Sequence, residues 1–241
     1  MRIPRTARSR PGRPVGPAAV LVTALLVAPA LAGCSGPDKP KTTPAQTLAA
    51  AKKHLDATSG VRIGLSTPKL PASVSGLLRA TGIGTHDPAF DGAIKVAADG
   101  VTADADVVAV NGAVHAKLPF TTKFVVIDPV DYGAPDPARL MSTQGGLSSL
   151  LTSARGVKEG KQVRDGKQVL RSFAGTVPGK AVASVLPSAS PSAGFAATFT
   201  VDDADELTKA VLRGPFYPKA GDVTYTVTFA DYGTKKTITA P

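Results

Sequence analysis

The sequence predicts an α+β fold: a single large curved antiparallel sheet of about ten strands, with helices covering its apolar face. Three observations carry this expectation. Between Val61 and Tyr232, runs of alternating apolar and polar residues recur, separated by turn signals. At Asn111-Gly112 two such runs meet in the strongest two-residue hairpin signal. Helical periodicity is confined to one leading segment and two or three short mid-chain stretches. Strands with one apolar face in a continuous meander imply one sheet, whose apolar face the helices must cover.

The first 33 residues read as an export leader. Five arginines (Arg2, Arg5, Arg8, Arg10, Arg13) precede an apolar run from Ala18 to Ala32, with no acidic residue among them. A charged start, a short apolar run and small residues at its end form a signal peptide. The run is short of the ~20 residues that span a bilayer comfortably. Leu31-Ala32-Gly33-Cys34 closes it, and Cys34 is the only cysteine in the chain. The pattern resembles a bacterial lipobox, in which the cysteine receives a diacylglyceryl group before cleavage just ahead of it; an ordinary secretory signal with a stray cysteine is the alternative. Residues 34–45, with three prolines and two lysines among Ser35 to Ala45, read as a lipidated tether, and 46–241 as the folded domain. No twin-arginine pair occurs, so the general secretory route is expected.

Thr43-Pro44-Ala45-Gln46 has the pattern of a helix start, with threonine as cap, proline first in the helix and glutamine three residues on. The spacing predicts a helix to about Thr58 with Leu48, Ala51 and Leu55 on one face and Gly60 as its stop. Val61, Ile63 and Leu65 then alternate in a first strand, Leu77 to Thr85 forms a second, and Ile94 and Val96 flank Lys95 in a third that ends near Asp99-Gly100. Val101 to Val110 and Ala113 to Leu118 follow. A two-residue loop pairs Val110 with Ala113, so Ala109 meets Val114, Val107 meets Ala116 and Ala105 meets Leu118 on one apolar face. The other face pairs Val108 with His115 and Asp106 with Lys117. Both faces agree with one register.

Lys123 to Asp128 predicts another strand and Pro137 to Met141 a short helix. Gly145 to Arg155 predicts a helix with Leu147, Leu150, Leu151 and Ala154 on one stripe and Gly156 as cap. Two strands surround Asp165-Gly166, Lys180 to Leu186 is a helical turn, and strands at Phe195–Asp202, Glu206–Gly214 and Asp222–Tyr232 complete the meander. The register arithmetic places the floor of a cavity on Ile94, Val96, Ala105, Val107, Ala109, Val114, Ala116 and Leu118. The leucine stripe places its lid on Leu147, Leu150 and Leu151. Small residues at 105, 109 and 116 leave room where a packed core would carry larger ones. Tight helix-on-sheet packing over small residues is the alternative.

Composition and motifs exclude more than they assign. The whole chain carries net charge +10, but five of its 28 basic residues leave with the leader, so the remainder is net +5. No arginine stripe with interleaved aromatics occurs, and nucleic acid is not an expected partner. No G-x-S-x-G elbow, H-E-x-x-H helix or Walker loop is present. Ser66-Thr67-Pro68-Lys69 matches S-x-x-K, but Pro68 and the strand context forbid the helix that motif needs. Three scattered histidines make no metal set. Asp202, Asp203, Asp205 and Glu206 form an acidic cluster, read as a solvated turn with a weak calcium site as the alternative. No catalytic residue, cofactor or metal is expected.

These pieces together resemble the LppX/LprA/LprF/LprG lipoproteins of mycobacteria and related actinobacteria. The stretches that carry the resemblance are Gly92 to Leu118, Asp128 to Leu151 and Gly160 to Val177. Asp104-Ala105-Asp106-Val107-Val108 before the Asn-Gly turn and Asp136-Pro137-Ala138-Arg139-Leu140 are the more specific parts. The resemblance implies a LolA/LolB-like half-barrel whose helices enclose an apolar cavity over the sheet. It also implies a lipoprotein anchored through Cys34 on the outer face of the cell membrane. Such a protein would carry di- or triacylated lipids or glycolipids across the periplasmic space, with a membrane lipid exporter as a partner. One departure is Lys69 to Gly76, longer than the family's usual first turn.

Overall fold

The structure, a computed structural model, describes residues 42–98, 100–119, 121–166 and 168–241. The leader, Cys34, most of the tether and Asp99 of the expected Asp99-Gly100 turn lie outside the described residues.

Helix α1 spans Pro44–Ala57, and the capping box forms as the sequence implied. The Gln46 amide donates to Thr43 Oγ1, and the Thr43 amide donates to Gln46 Oε1. Leu48, Ala51 and Leu55 are buried on one face, and His54 is exposed. The stop differs from expectation. Thr58 ends the helix in an extended conformation, and Gly60 opens the first strand. A Cβ on Gly60 would sit 2.7 Å from the Thr234 carbonyl oxygen, so glycine serves the close approach of the C-terminal segment rather than a left-handed cap.

Twelve strands follow among the described residues: β1 Gly60–Ser66, β2 Gly76–Thr85, β3 Ala89–Ala98, β4 Val101–Val110, β5 Ala113–Lys117, β6 Val125–Ile127, β7 Arg155–Glu159, β8 Val163–Asp165, β9 Gln168–Pro178, β10 Gly194–Val201, β11 Leu207–Gly214 and β12 Val223–Ala230. All pairings are antiparallel, in the order β6-β5-β4-β3-β2-β1-β12-β11-β10-β9-β7, with β8 hairpinned onto β9. The first and last strands therefore meet in the middle, where Ile63 pairs with Phe229 and Leu65 with Val227. The β4–β5 register is the expected one from Val110↔Ala113 to Asp106↔Lys117. Asn111 (φ 55°) and Gly112 (φ 75°) make the positive-φ pair of a type I′ turn. Strand β5 stops at Lys117, so Leu118 lies beyond the ladder. On the outer face, Lys95 Nζ bonds its cross-strand partner Asp104 at 3.1 Å.

Two expectations fail together around residue 150. Helix α2 is only Ser149–Ser153, and residues 155–159 are strand β7. A Cβ on Gly146 would lie 2.2 Å from the Ser142 carbonyl oxygen, so the chain is tightly turned there. The Leu150 and Leu151 amides bond three residues back, in a 3-10 turn. Ala154 is already extended, and Gly156 (φ 61°) lies where the β7–β9 register shifts, a bulge rather than a helix cap. This edge strand is the one the alternation did not mark, and the count is twelve rather than about ten; β8 and β9 are the two strands expected around Asp165-Gly166. Helix α3 is Gly179–Val185, and Pro137–Arg139 is a single 3-10 turn within the expected Pro137–Met141 helix.

Side-chain size divides the concave face. Beneath α1, strands β9–β11 bring Phe173, Phe195, Phe199 and Leu207, all almost fully buried, and they pack solid. Across β2–β5 the inward positions are smaller, with Ala80, Ala105, Ala109 and Ala116 among them. There the sheet and its covering segments stand apart.

Candidate functional site: an apolar chamber under the helices

The gap over β2–β5 is a cavity of about 230 Å3, open at one side. Thirty residues line it, and apart from three tyrosines every one is Ala, Val, Leu, Ile, Phe or Pro. The floor comes from alternate residues of the hairpin strands, because a period of two sends every second side chain to one face. The roof comes from three segments: the turn-rich stretch with Pro129, Tyr132 and Leu140, the α2 region with Leu147 and Leu150, and α3 with Val182, Val185 and Leu186. Behind the wall of Val114, Ile127 and Leu140 a more polar cleft, lined in part by Asp128, Asp136 and Arg139, opens to solvent.

Of the eleven residues assigned to floor and lid, Ile94, Val96, Ala105, Val107, Val114, Ala116, Leu118, Leu147 and Leu150 line this chamber. Leu118 does so from the mouth, 47% exposed, not as the deep partner of Ala105. Ala109 and Leu151 do not line it. Ala109 is fully buried in a small cluster with Phe90, Val107 and Ala138, and Leu151 belongs to the solid core with α1. Phe90 fills the floor beneath Ala109 because β2 and β3 carry glycines there: a Cβ on Gly82 would meet the Phe90 ring at 2.4 Å. The Gly82-Ile83-Gly84 run thus shapes the sheet.

The alternation gave no account of β1, β12 and α3 as walls. Ile63, Leu65, Tyr225 and Val227 line the chamber because β1 pairs with β12, a contact between residues more than 160 apart in sequence. Each strand's alternation marked its inward face, but not that the two faces adjoin. Tyr217 and Tyr225 form the wall on the β11–β12 side. The Tyr225 hydroxyl donates to the Leu77 carbonyl at 2.8 Å, which leaves Tyr217 to donate to Tyr225, also at 2.8 Å. Burial pushes both phenols up, so both stay protonated at physiological pH. Their polar atoms are consumed by each other and by the backbone, and the wall presents ring edges.

Glu206, on the acidic turn, has its carboxyl pushed up by burial and by the neighbouring Asp202 carboxylate. Asp202 Oδ1 accepts the Ala204 and Glu206 amides, and Arg171 pairs with Asp205. These bonds organise a turn. No group of three or more metal-ligating side chains gathers among the described residues.

The model of the LppX_LprAFG lipoproteins matches residues 43–238. The chain belongs to the LppX_LprAFG lipoprotein family. Among solved structures, LprF from Mycobacterium bovis is similar over 82% of this chain and 96% of its own, with a TM-score of 0.67 and 15% identity. LppX from Mycobacterium tuberculosis is similar over 81% and 98%, with a TM-score of 0.60 and 13% identity. At these identities the likeness is one of fold. Among curated proteins no sequence matches significantly. No helix among the described residues is long and apolar enough to cross a membrane.

Proposed function

We propose that this lipoprotein binds the acyl chains of a lipid or glycolipid in the chamber and carries them across the periplasmic space. The observation that supports it is the chamber itself, apolar on every side and lined by thirty residues without one charge. An apolar void of 230 Å3 left empty costs roughly 5 kcal/mol by the scaling of core-truncation cavities. A comparable penalty disappears when acyl chains fill it, since each buried methylene contributes ~0.8 kcal/mol. No nucleophile motif accompanies the chamber, so the reading is carriage rather than cleavage.

In the same reading residues 1–33 are removed as a signal peptide, and Cys34 carries diacylglyceryl, with palmitate among its chains. Residues 34–45 then tether the domain to the outer face of the cell membrane. Two acyl chains meet the two-signal requirement for stable anchoring. The ligand has two or three acyl chains, and a membrane lipid exporter is its source. The test is organic extraction of the purified protein followed by mass spectrometry, paired with uptake of a diacylated lipid from vesicles. Copurifying lipid in near-stoichiometric amount is the expected result. Protein that arrives empty and takes up nothing overturns the proposal and leaves a solid-core envelope lipoprotein.

A further inference from the structure

In an antiparallel meander successive connections alternate between the two ends of the sheet, so each loop can be assigned to a rim from the register. The loops after β1, β5 and β11 share one rim, and the turns after β2, β4 and β10 share the other. The chamber opens at the first rim. Three of its lining residues are substantially exposed: Leu118 and Val125, at the two ends of the β5–β6 loop, and Tyr132. Tyr132 belongs to this rim because its neighbour Gly133 lies against the Ser75 carbonyl and the Tyr217 ring, both in first-rim loops. A soluble surface seldom leaves several large apolar side chains together in water.

Charge distinguishes the two rims. The first-rim loops carry exposed Lys69, Lys123 and Lys219, one on each loop around the mouth. Their acidic counterparts are few. Among the described residues, Asp131 stands beside Tyr132, and Asp222 is occupied by Arg213 at 3.4 Å. The turns after β2, β4 and β10 hold five carboxylates, Asp87, Asp202, Asp203, Asp205 and Glu206, of which Asp205 is paired with Arg171, and the segment after β12 brings Lys235 and Lys236 to the same end, Lys236 paired with Asp91.

We infer that this rim is a docking surface for an anionic lipid bilayer. Leu118, Val125 and Tyr132 enter the headgroup layer, and Lys69, Lys123 and Lys219 meet lipid phosphates. The inference rests on the chamber holding acyl chains, because docking mouth-down lets a chain pass from bilayer to chamber without crossing water. Exposed apolar area and basic side chains act together in such interfacial binding. Each lysine near an anionic surface strengthens it roughly fivefold. Only the first rim sets lysines beside exposed side chains of the chamber mouth, and that pairing sets the orientation.

The chain contains no tryptophan, so one introduced tryptophan is a clean reporter. The full acylated chain is placed in vesicles of chain-brominated phosphatidylglycerol or phosphatidylcholine, as Tyr132→Trp or, at the far end of the sheet, as Val163→Trp. Bromine quenches the Tyr132→Trp emission in the anionic vesicles at low salt. At least half of that quenching is lost near 1 M salt, where the Debye length falls to about 3 Å, and also in a Lys69→Glu/Lys123→Glu/Lys219→Glu background. The Val163→Trp reporter stays unquenched throughout. Equal quenching of the two reporters overturns the inference. So does quenching at 132 that ignores salt and headgroup charge, the signature of brominated lipid inside the chamber without docking. The lipid content found by mass spectrometry is read separately. An empty protein with salt-reversible quenching at 132 keeps the docking surface and removes the carrier reading.

Discussion

Replacing Ala105 by phenylalanine separates a chamber from a packed core. Ala105 is 7% exposed, faces the chamber, and pairs across the sheet with Ile94. The substitution adds six ring carbons. Even granted a water's ~30 Å3 share of liquid each, they occupy at most roughly 180 Å3, which the 230 Å3 cavity holds. Burying the ring is worth ~1.5–3 kcal/mol, against ~1 kcal/mol for fixing its rotamer. The lipid-free variant should therefore be as stable as the parent or more so by up to ~2 kcal/mol. For a chain of this size that is a melting temperature raised by about 4–8 °C at most. Lipid recovered by extraction should fall severalfold, because the ring occupies the space of the acyl chains. Ala109→Phe is the control. Ala109 is fully buried beside Phe90 with no chamber in front of it, so overpacking should cost ~1–3 kcal/mol. The paired measurement is thermal melting by circular dichroism and mass spectrometry of the extract. An Ala105→Phe protein that melts as low as Ala109→Phe, with its lipid content intact, would refute the chamber.

Other perturbations test separate parts. Asn111→Val forces a β-branched residue into positive φ at the β4–β5 turn. It should cost ~1–2 kcal/mol, and an unchanged denaturant midpoint would refute the turn assignment. Cys34→Ser should abolish acylation, since serine offers no thiol. A mutant still labelled by radioactive fatty acid and retained in membranes speaks against the anchor. Glu206 has a folded pKa above its ordinary 4.5. The folded state thus holds its proton more tightly, and stability falls as pH rises from 4.5 through the folded value. Glu206→Gln should match the parent at pH 4 and melt above it at pH 7; a constant difference between the two proteins across that range contradicts the assignment. Tyr225→Phe deprives the Tyr217 hydroxyl and the Leu77 carbonyl of their partner. It should destabilise by ~1–3 kcal/mol, measured in urea.

Local order was legible in the sequence wherever the deciding interactions lie within a few residues. The capping box at Thr43–Gln46 and the type I′ turn at Asn111-Gly112 are written in adjacent side chains, and they fix α1 and the β4–β5 register. The alternation from Val223 to Phe229 fixes which face of β12 is buried. The lining residues from Ile94 to Ala116 followed from that same arithmetic. What the sequence left open depends on distant partners. Leu147 to Arg155 has helical spacing, yet β9 takes residues 155–159 as an edge strand, because pairing satisfies backbone groups that a solvent-facing helix end would leave to water. Ala109 and Ala105 are equivalent by periodicity. Phe90, admitted by Gly82 on a neighbouring strand, fills the space before one of them and leaves the other facing the chamber. The closure of β1 on β12, which brings Tyr225 and Val227 into the wall, joins the first strand to the last, and no local pattern encodes it. The sequence determined the elements, their faces and the smallness of the floor residues. Where the apolar faces fail to meet, and so where the chamber lies and opens, is a sum over packing contacts between strands far apart in the chain, and only the tertiary structure decided it.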